Sequence, residues 1–429
     1  MKKIIYILFA VVLAGTTACT KSDFADNYMD PSKVTSSSID KQYSGFLQSN
    51  RDYLLPNYRY YFVVFRTTLT RYTQSVGWAN TNSQYVPGDA GTTDYWNSYY
   101  GFLAQYRELQ KIYNGLSASD KTDWKIFMTT ATIHLYHQTE RLIDLHGDIP
   151  FSEAGMLSIN GGDYNSSYAK YDDAQTLYVK MLDDLKAFAD ELNTATIPNA
   201  ILNRLKTQDF INKGDITKWK KYCNSLRLRM LTRVSGVAAL SSRASSEITS
   251  ILNNPTSYPI ITSNTDNVQM NVYDINTAIN SKGFQTGLED WNGNIASKVM
   301  IDHMKTNADP RLRVMFEPGL SAGGVYNGLD QSLNETAQTA LINGGTMAIY
   351  NRSTMSRNQY FPGLLINAAE VSFIKAEAYL NASNDALAKA AYEEGITNSI
   401  NNYYLLRSIS NNSVAGTPAP VTADRKSVV

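Results

Sequence analysis

Regular spacing of apolar residues is the feature that most restricts how this chain of 429 residues can fold. Between Tyr95 and Leu116, apolar side chains recur every three or four residues, which is typical of one face of an amphipathic α-helix. The same spacing predicts three more helices in the first half of the chain, over residues 120–147, 172–192 and 217–234.

Two of these predicted helices carry recognisable end signals. Asp120 and Asp172 can accept hydrogen bonds from the free backbone amides of a first helical turn, so both are interpreted as N-caps. Gly147 can adopt the left-handed conformation that ends a helix, and Pro150 just beyond it cannot continue one. The first half therefore reads as a succession of helices joined by short turns.

The character of the chain changes between residues 256 and 362. Gly, Asn, Pro, Ser and Thr dominate there, and helical spacing is recognised only from Ile295 to Met304. Long irregular segments of this kind usually carry function. Two more helices with a short break follow, at 368–379 and 385–400, and they resemble a tetratricopeptide hairpin. We predict a mainly α fold of tetratricopeptide-like helical hairpins with a long loop-rich insertion, within a helical domain over residues 37–423.

The N-terminus has the pattern of an export signal. A basic start, an apolar run over residues 4–14 and a small-residue exit precede Cys19, which predicts a lipoprotein signal peptide at 1–18. The usual lipobox has Leu three residues before the cysteine, where this chain has Thr16. Acylated Cys19 would anchor the protein in a membrane, and residues 19–36 would be its tether. The alternative is an ordinary secreted protein.

The last six residues, 424–429, have an unusual sequence. Their codons correspond to a common sequencing-library adapter, so we interpret them as non-native and the gene as cut short. The alternative is a genuine polar tail.

Charge and cysteine usage exclude several classes of function. Without residues 1–18 the chain has lost only Lys2 and Lys3, leaving 37 basic residues against 39 acidic ones. This near-neutral balance gives no attraction to nucleic acid. Apart from Cys19 the only cysteine is Cys223, so no intrachain disulfide is expected, and Cys223 is predicted to be a buried apolar residue.

Few residues in the chain suggest catalysis. His134, His137 and Glu140 could present metal ligands on one helix face, but ordinary surface histidines are the preferred interpretation. Asp144 and Asp148 could be a glycosidase pair, although they flank a helix end where capping and turn roles are commoner. No nucleophile elbow, P-loop or dinucleotide motif occurs. We therefore predict a non-enzyme without metal or cofactor.

Aromatic residues mixed with amides indicate a ligand-binding surface. A sugar ring can stack its C–H face on indole or phenol, while Asn, Gln and Arg bond its hydroxyls. Peptide binding would use the same residue types, and the aromatic residues could instead simply pack the insertion onto the helices. The predicted ligand-binding residues are Arg71, Trp78, Asn80, Trp96, Trp291 and Tyr326.

Several segments resemble the SusD/RagB family of outer-membrane lipoproteins. Residues 141–154 match the helix-end pattern of that family, except that His146 stands where Tyr is common. Lys21 and Asp23 are similar to its surface-export signal. Further similar segments are 171–174, 214–221, 224–229, 308–312 and 369–378.

The resemblance implies a function as well as a fold. It implies a lipid-anchored protein on the outside of the outer membrane that captures oligosaccharide and delivers it to a SusC-like TonB-dependent transporter. Members usually extend beyond the end of this chain, which agrees with a shortened gene. A peptide-binding member and a surface glycoside hydrolase remain alternatives. The family provides no secure individual ligand residue, because its binding loops vary.

Overall fold

A computed structural model describes residues 37–81, 84–86, 88–418 and 420. The predicted signal peptide at 1–18, the predicted lipidation site Cys19, the predicted tether to residue 36 and the tail at 424–429 lie outside the described residues. The described residues from Ile39 onward form one compact unit.

The fold is mainly helical, as predicted. The helices of the first half are α1 Ile39–Ser49, α2 Asp89–Asn114, α3 Ala118–His146, α4 Ala174–Thr194, α5 Asn199–Gln208, α6 Ile216–Val234 and α7 Ser241–Asn253. The second half contains α8 Phe284–Glu289, α9 Lys298–Thr306, α10 Leu312–Met315, α11 Glu335–Asn343, α12 Ala368–Asn381 and α13 Asp385–Ser408. Short 3-10 turns lie at Arg51–Tyr53, Asn165–Ser167, Asn264–Asp266 and Asp290–Asn292.

The predicted helices α2, α3, α4 and α6 are confirmed, but two of their caps were misassigned. Ser117, not Asp120, is the N-cap of α3: its hydroxyl accepts from the Asp120 amide at 3.1 Å. Asp173, not Asp172, caps α4 and accepts from the Thr176 amide at 2.7 Å. Each predicted cap lies within one helical turn of the observed cap. An acid in or beside the first turn gives the same sequence signal as the cap itself.

The main hydrophobic core lies between these helices. Trp219, Tyr222 and Phe127 are fully buried in it. Cys223 is also fully buried and donates to the Leu185 carbonyl at 3.2 Å, which confirms its predicted place in the core. Burial raises the pKa of the Cys223 thiol to about 12, so it stays protonated at neutral pH.

The loop-rich region has more regular structure than its sequence suggests. Besides α9, which was predicted, it contains the unpredicted helix α11. Strand β1 (Val268–Met270) pairs antiparallel with β4 (Gly363–Ile366), and β2 (Phe316–Glu317) pairs antiparallel with β3 (Ile349–Tyr350). A second cluster of buried residues holds this region together, including Phe284, Ile301, Val314, Phe316 and Tyr350.

The C-terminal pair α12 and α13 forms the predicted hairpin with small residues at its contact. Gly395 of α13 lies against Phe373 of α12, and a Cβ placed on it would be 2.7 Å from the ring. No described helix is both long and apolar enough to cross a bilayer.

A π-helix over Tyr58–Thr70 is the least expected element. Such helices are usually single turns and often occur at functional sites, whereas this one has 13 residues. Neighbouring glycines allow other elements to approach it closely. A Cβ on Gly91 of α2 would lie 2.8 Å from the Thr67 hydroxyl, and one on Gly287 of α8 would lie 2.6 Å from the Asn57 carbonyl.

We expect Gly328→Ala to destabilise the loop-rich region. A Cβ at this position would lie 2.4 Å from both the Lys298 Cα and the Ser297 carbonyl oxygen, so the backbone would have to move. Overpacking of this kind typically costs about 1–3 kcal/mol. Gly236→Ala is the matched control, because nothing lies within 4 Å of its added Cβ. Thermal unfolding should show a lower Tm for the first variant only, and equal Tm values would contradict the close packing.

Candidate ligand-binding site

Two of the predicted ligand-binding residues, Trp78 and Trp291, line one surface pocket of about 190 Å³. We call it the aromatic pocket. Its volume is below the roughly 300–1000 Å³ of pockets that enclose a whole small molecule, so it fits part of a larger ligand. The lining residues are Gly77, Trp78, Ala79, Thr81, Trp291, Asn292, Thr339, Ile342 and Asn343.

Trp291 is the exposed ring of the pocket. Its side chain is 76% exposed, although indole is usually buried. Its backbone is left-handed at φ 56°, and Asn292 follows at φ 58°. Such conformations are strained for residues other than glycine and often mark functional positions. The 3-10 turn at Asp290–Asn292 therefore holds a large apolar face toward solvent at a conformational cost.

Glycines bring the two walls of the pocket together. The Gly77 amide donates to the Ile295 carbonyl at 2.7 Å, and a Cβ on Gly77 would lie 2.7 Å from the Ala296 carbonyl. A Cβ on Gly293 would lie 2.8 Å from the Leu288 carbonyl and 3.5 Å from the Trp78 ring. Side chains at these positions would separate the segment that carries Trp78 from the turn that carries Trp291.

Trp78 is a half-buried wall with two arginines beside it. The guanidinium carbons of Arg66 and Arg71 lie 4.5 and 4.7 Å from the centre of its ring, within the range of cation–π contacts. Arg71 also donates through Nη1 to the Gln84 carbonyl. Since guanidinium groups already contact the Trp78 ring, Trp291 is the better candidate for stacking on a sugar.

The polar rim of the pocket is available for a ligand. Thr81, Asn292, Thr339 and Asn343 are exposed, and their side chains make no hydrogen bond to another described residue. Amide and hydroxyl groups of this kind can both donate to and accept from sugar hydroxyls. Thr339 and Asn343 belong to α11, which has no clear signal in the sequence, so sequence reasoning missed them.

Asn80 lies next to the pocket, but its side chain is already hydrogen-bonded to other residues of the protein. Its amide nitrogen donates to the carbonyls of Gln331 at 2.8 Å and Leu333 at 3.1 Å. Its carbonyl oxygen accepts from Gln84 Nε2 at 2.5 Å. Asn80 therefore ties the Trp78 segment to the residues before α11, which positions the pocket wall.

The other two predicted residues lie in different surroundings. Trp96, near the start of α2, contacts the rings of Tyr100 and His146, each with centroids 5.0 Å away, and stacks on Tyr171 at 6.5 Å. Tyr326 packs against the second hydrophobic cluster. The structure thus brings Trp78 and Trp291 together in the aromatic pocket and places Arg71 and Asn80 beside Trp78 and outside the lining. Trp96 and Tyr326 do not line this pocket.

A larger cleft of about 530 Å³ lies beside the π-helix, and the sequence did not predict it. We call it the charged cleft, because its lining includes Glu140, Arg141, Asp144, Arg229 and Arg233. Four of these five charges form ion pairs. Arg229 contacts Glu140 and Arg233 contacts Asp144, each at 2.7 Å between nitrogen and oxygen. Arg141 donates to the hydroxyl of Tyr60 at 2.5 Å.

The histidines considered as metal ligands belong to the core. His134 and His137 are fully buried, and their Nδ1 atoms lie 3.3 and 2.8 Å from the hydroxyl of Tyr222. Burial lowers the pKa of His134 to about 3, so its ring is neutral. The preferred interpretation of these residues as surface histidines was therefore wrong. Among the described residues no group of His, Cys, Asp and Glu is arranged to hold a metal ion.

The two carboxylates considered as a glycosidase pair have structural roles. Asp144 is paired with Arg233 and accepts from the Tyr178 hydroxyl at 3.2 Å. Asp148 accepts from the Ala174 amide at 2.9 Å, at the first residue of α4. The favoured interpretation of Asp148 as a capping residue is confirmed.

Comparisons with known proteins agree with this architecture. The family model SusD-like_2, described as "Starch-binding associating with outer membrane", matches residues 31–416. No curated protein sequence matches the chain.

Solved structures show the same fold. A structure named as a chitin-binding protein has a TM-score of 0.69 at 20% identity, over 90% of this chain and 78% of that chain. A SusD homolog from Parabacteroides distasonis has a TM-score of 0.66 at 19% identity, over 87% of this chain and 74% of that chain. A SusD-like protein from Bacteroides thetaiotaomicron has a TM-score of 0.59 at 20% identity, over 84% of this chain and 70% of that chain. At these identities the likeness shows the fold alone.

Proposed function

This chain belongs to the SusD/RagB family, and we propose that it binds an oligosaccharide at the aromatic pocket and delivers it to a SusC-like TonB-dependent transporter. The family is starch-binding and associates with the outer membrane. The observation that supports the location of the site is the exposed Trp291, held in a strained turn opposite Trp78 and surrounded by free amides and hydroxyls.

The geometry of the pocket suits a sugar in an extended chain. The exposed indole of Trp291 offers an apolar face for the C–H side of one ring. Asn292 and Asn343 lie in the same lining and can bond the equatorial hydroxyls. A small open pocket leaves the neighbouring sugar units outside it, so the ligand can pass on to a partner without release from a closed cavity.

Cell-surface attachment completes the proposed function. Lipidation of Cys19 would hold the protein on the outer membrane, with residues 19–36 as tether. The stacked helical hairpins would then dock on the transporter, while the loop-rich region presents the aromatic pocket. The transporter would supply the energy for import.

Peptide capture is a second candidate, because the charged cleft contains acids and bases together. A peptide terminus needs an unpaired charge of opposite sign, however. Glu140 and Asp144 each have a guanidinium partner at 2.7 Å, and Arg229 also contacts Glu370 at 3.1 Å. Since both acids of the cleft are neutralised in this way, neither is free to hold a peptide amino terminus, and the aromatic pocket and a glycan remain the better supported proposal.

We expect the purified protein to bind at least one oligosaccharide and to leave it intact. Of the carboxylates considered for hydrolysis, Asp144 is paired with Arg233 and Asp148 accepts a hydrogen bond from the first residue of α4. Among the described residues, no Asp or Glu lines the aromatic pocket. Calorimetric titration against a panel of glycans and peptides, with chromatography of the products, tests this. Hydrolysis products would favour a glycosidase, and binding of peptides alone would favour the second candidate.

A further inference from the structure

Arg66 differs from the other described arginines because it has neither an ion pair nor a hydrogen bond. Its Nε and Nη1 atoms are buried without a partner. Comparable half-buried arginines elsewhere contact carboxylates, as Arg311 does with Asp309 and Arg352 does with Glu317 at 2.8 Å. An uncompensated guanidinium that is partly removed from water destabilises the protein unless something else supplies the opposite charge.

A second arginine shares the same place. The guanidinium carbon of Arg66 lies 3.2 Å from the ring centre of Phe62 and 4.5 Å from that of Trp78, and Arg71 lies on Trp78 as well. Burial and the nearby charge of Arg71 lower the pKa of Arg66 to about 10, so Arg66 remains positive at neutral pH. Burial lowers the pKa of Arg71 as well. Two like charges on one indole repel each other, which adds to the energetic cost.

The described residues provide no carboxylate for either arginine. Neither forms an ion pair with a described acid. Asp290 is the acid next to Trp291 in the chain, and it too is unpaired. Arg66 and Arg71 are both half-buried, and they do not line the aromatic pocket themselves. Both contact Trp78, which is one of its walls, so their charges lie within one indole ring of a bound ligand.

We propose that the aromatic pocket selects glycans that carry a negative charge, and that Arg66 and Arg71 provide the complementary positive charge. This inference rests on the proposed glycan-binding function. A uronic acid carboxylate and a sulfate ester are both anionic, and their oxygens accept charge-assisted hydrogen bonds from a guanidinium nitrogen. Stacking on Trp291 would hold the sugar, and the arginines would select for its charge.

The test compares three probes on the parent protein by calorimetric titration. Oligogalacturonate carries carboxylates only, a carrageenan oligosaccharide carries sulfates only, and chitotetraose is neutral. We expect one of the two charged probes to bind at least tenfold more tightly than chitotetraose, a difference of about 1.4 kcal/mol. Added salt should weaken binding of the charged probe and leave chitotetraose unaffected. Which charged probe binds decides between carboxylate and sulfate.

Substitutions then test whether Arg66 and Arg71 cause the preference for the charged probe. Arg66→Gln and Arg71→Gln should each reduce binding of the charged probe at least tenfold and weaken binding of chitotetraose by a clearly smaller factor, so that the preference for charge is lost. Arg59→Gln is the matched control, since Arg59 lies on the same π-helix but pairs with Asp94. Using both substitutions keeps the test valid if one of them unfolds the protein.

The outcomes separate this inference from the proposed function. Equal or tighter binding of chitotetraose by the parent, or unchanged charge preference in both variants, would overturn the charge selectivity and leave glycan binding intact. Failure of the parent to bind any glycan, in this set and in the wider panel, would remove the proposed function itself.

Discussion

Replacing Trp291 with alanine should weaken glycan binding by roughly 5- to 150-fold. Stacking of a ring on an aromatic side chain contributes about 1–3 kcal/mol in nucleic-acid systems, and sugar stacking is expected to be similar in scale. The ring is 76% exposed, so its removal leaves no cavity in the core. Calorimetric titration against a glycan that binds the parent measures the loss.

Trp96→Ala is the control for this experiment. It removes the same side chain from a place where the indole packs on Tyr100, His146 and Tyr171 and does not line the pocket. Binding should remain close to that of the parent, and circular dichroism should show that both variants keep their helices. Loss of binding in Trp96→Ala with retention in Trp291→Ala would move the site to the Trp96 surface.

Replacing Cys19 with alanine should release the protein from membranes. Each buried methylene of an acyl chain contributes about 0.8 kcal/mol, so removal of the acylated residue takes away most of the membrane affinity. No described helix could cross a bilayer in its place. Immunoblots of membrane and soluble fractions would measure the change.

Cys223→Ala is the matched control for the anchor, since it removes the only other thiol of the chain. Cys223 is fully buried in α6 and cannot be an anchor. This variant should stay with the membrane fraction. Equal membrane retention of Cys19→Ala and the parent would contradict lipidation at Cys19.

The helices that could be predicted are those whose apolar rhythm continues over several turns. In α2, α4 and α6 most turns place an apolar residue on the core, so the apolar spacing in the sequence corresponds to the buried face in the structure. Helix α3 is also buried at polar positions such as His134 and Glu140, which the spacing did not predict. Shorter helices lack this repetition. In α11 the one buried residue is Gln338, so its sequence resembles a loop.

The π-helix was missed for a different reason. Its hydrogen bonds join residues five apart, so its buried residues do not follow the spacing that identifies an α-helix. Tyr60, Phe62 and Val64 are buried within a run that is aromatic and apolar on several sides. Arg66 was also not recognised as a candidate. Nothing in the sequence shows that its guanidinium contacts Trp78 and no described acid.

The sequence by itself determined the helical class and the family, because these depend on local chemistry and repeated spacing, and it predicted which residue types would recognise a sugar. Only the tertiary structure decided that Trp78 meets Trp291 and that Trp96 lies elsewhere. Local spacing reports which side of its own helix or turn a residue occupies. A pocket is formed by segments distant in the chain, and their meeting depends on the packing of the whole core and on close contacts such as those at Gly77 and Gly293.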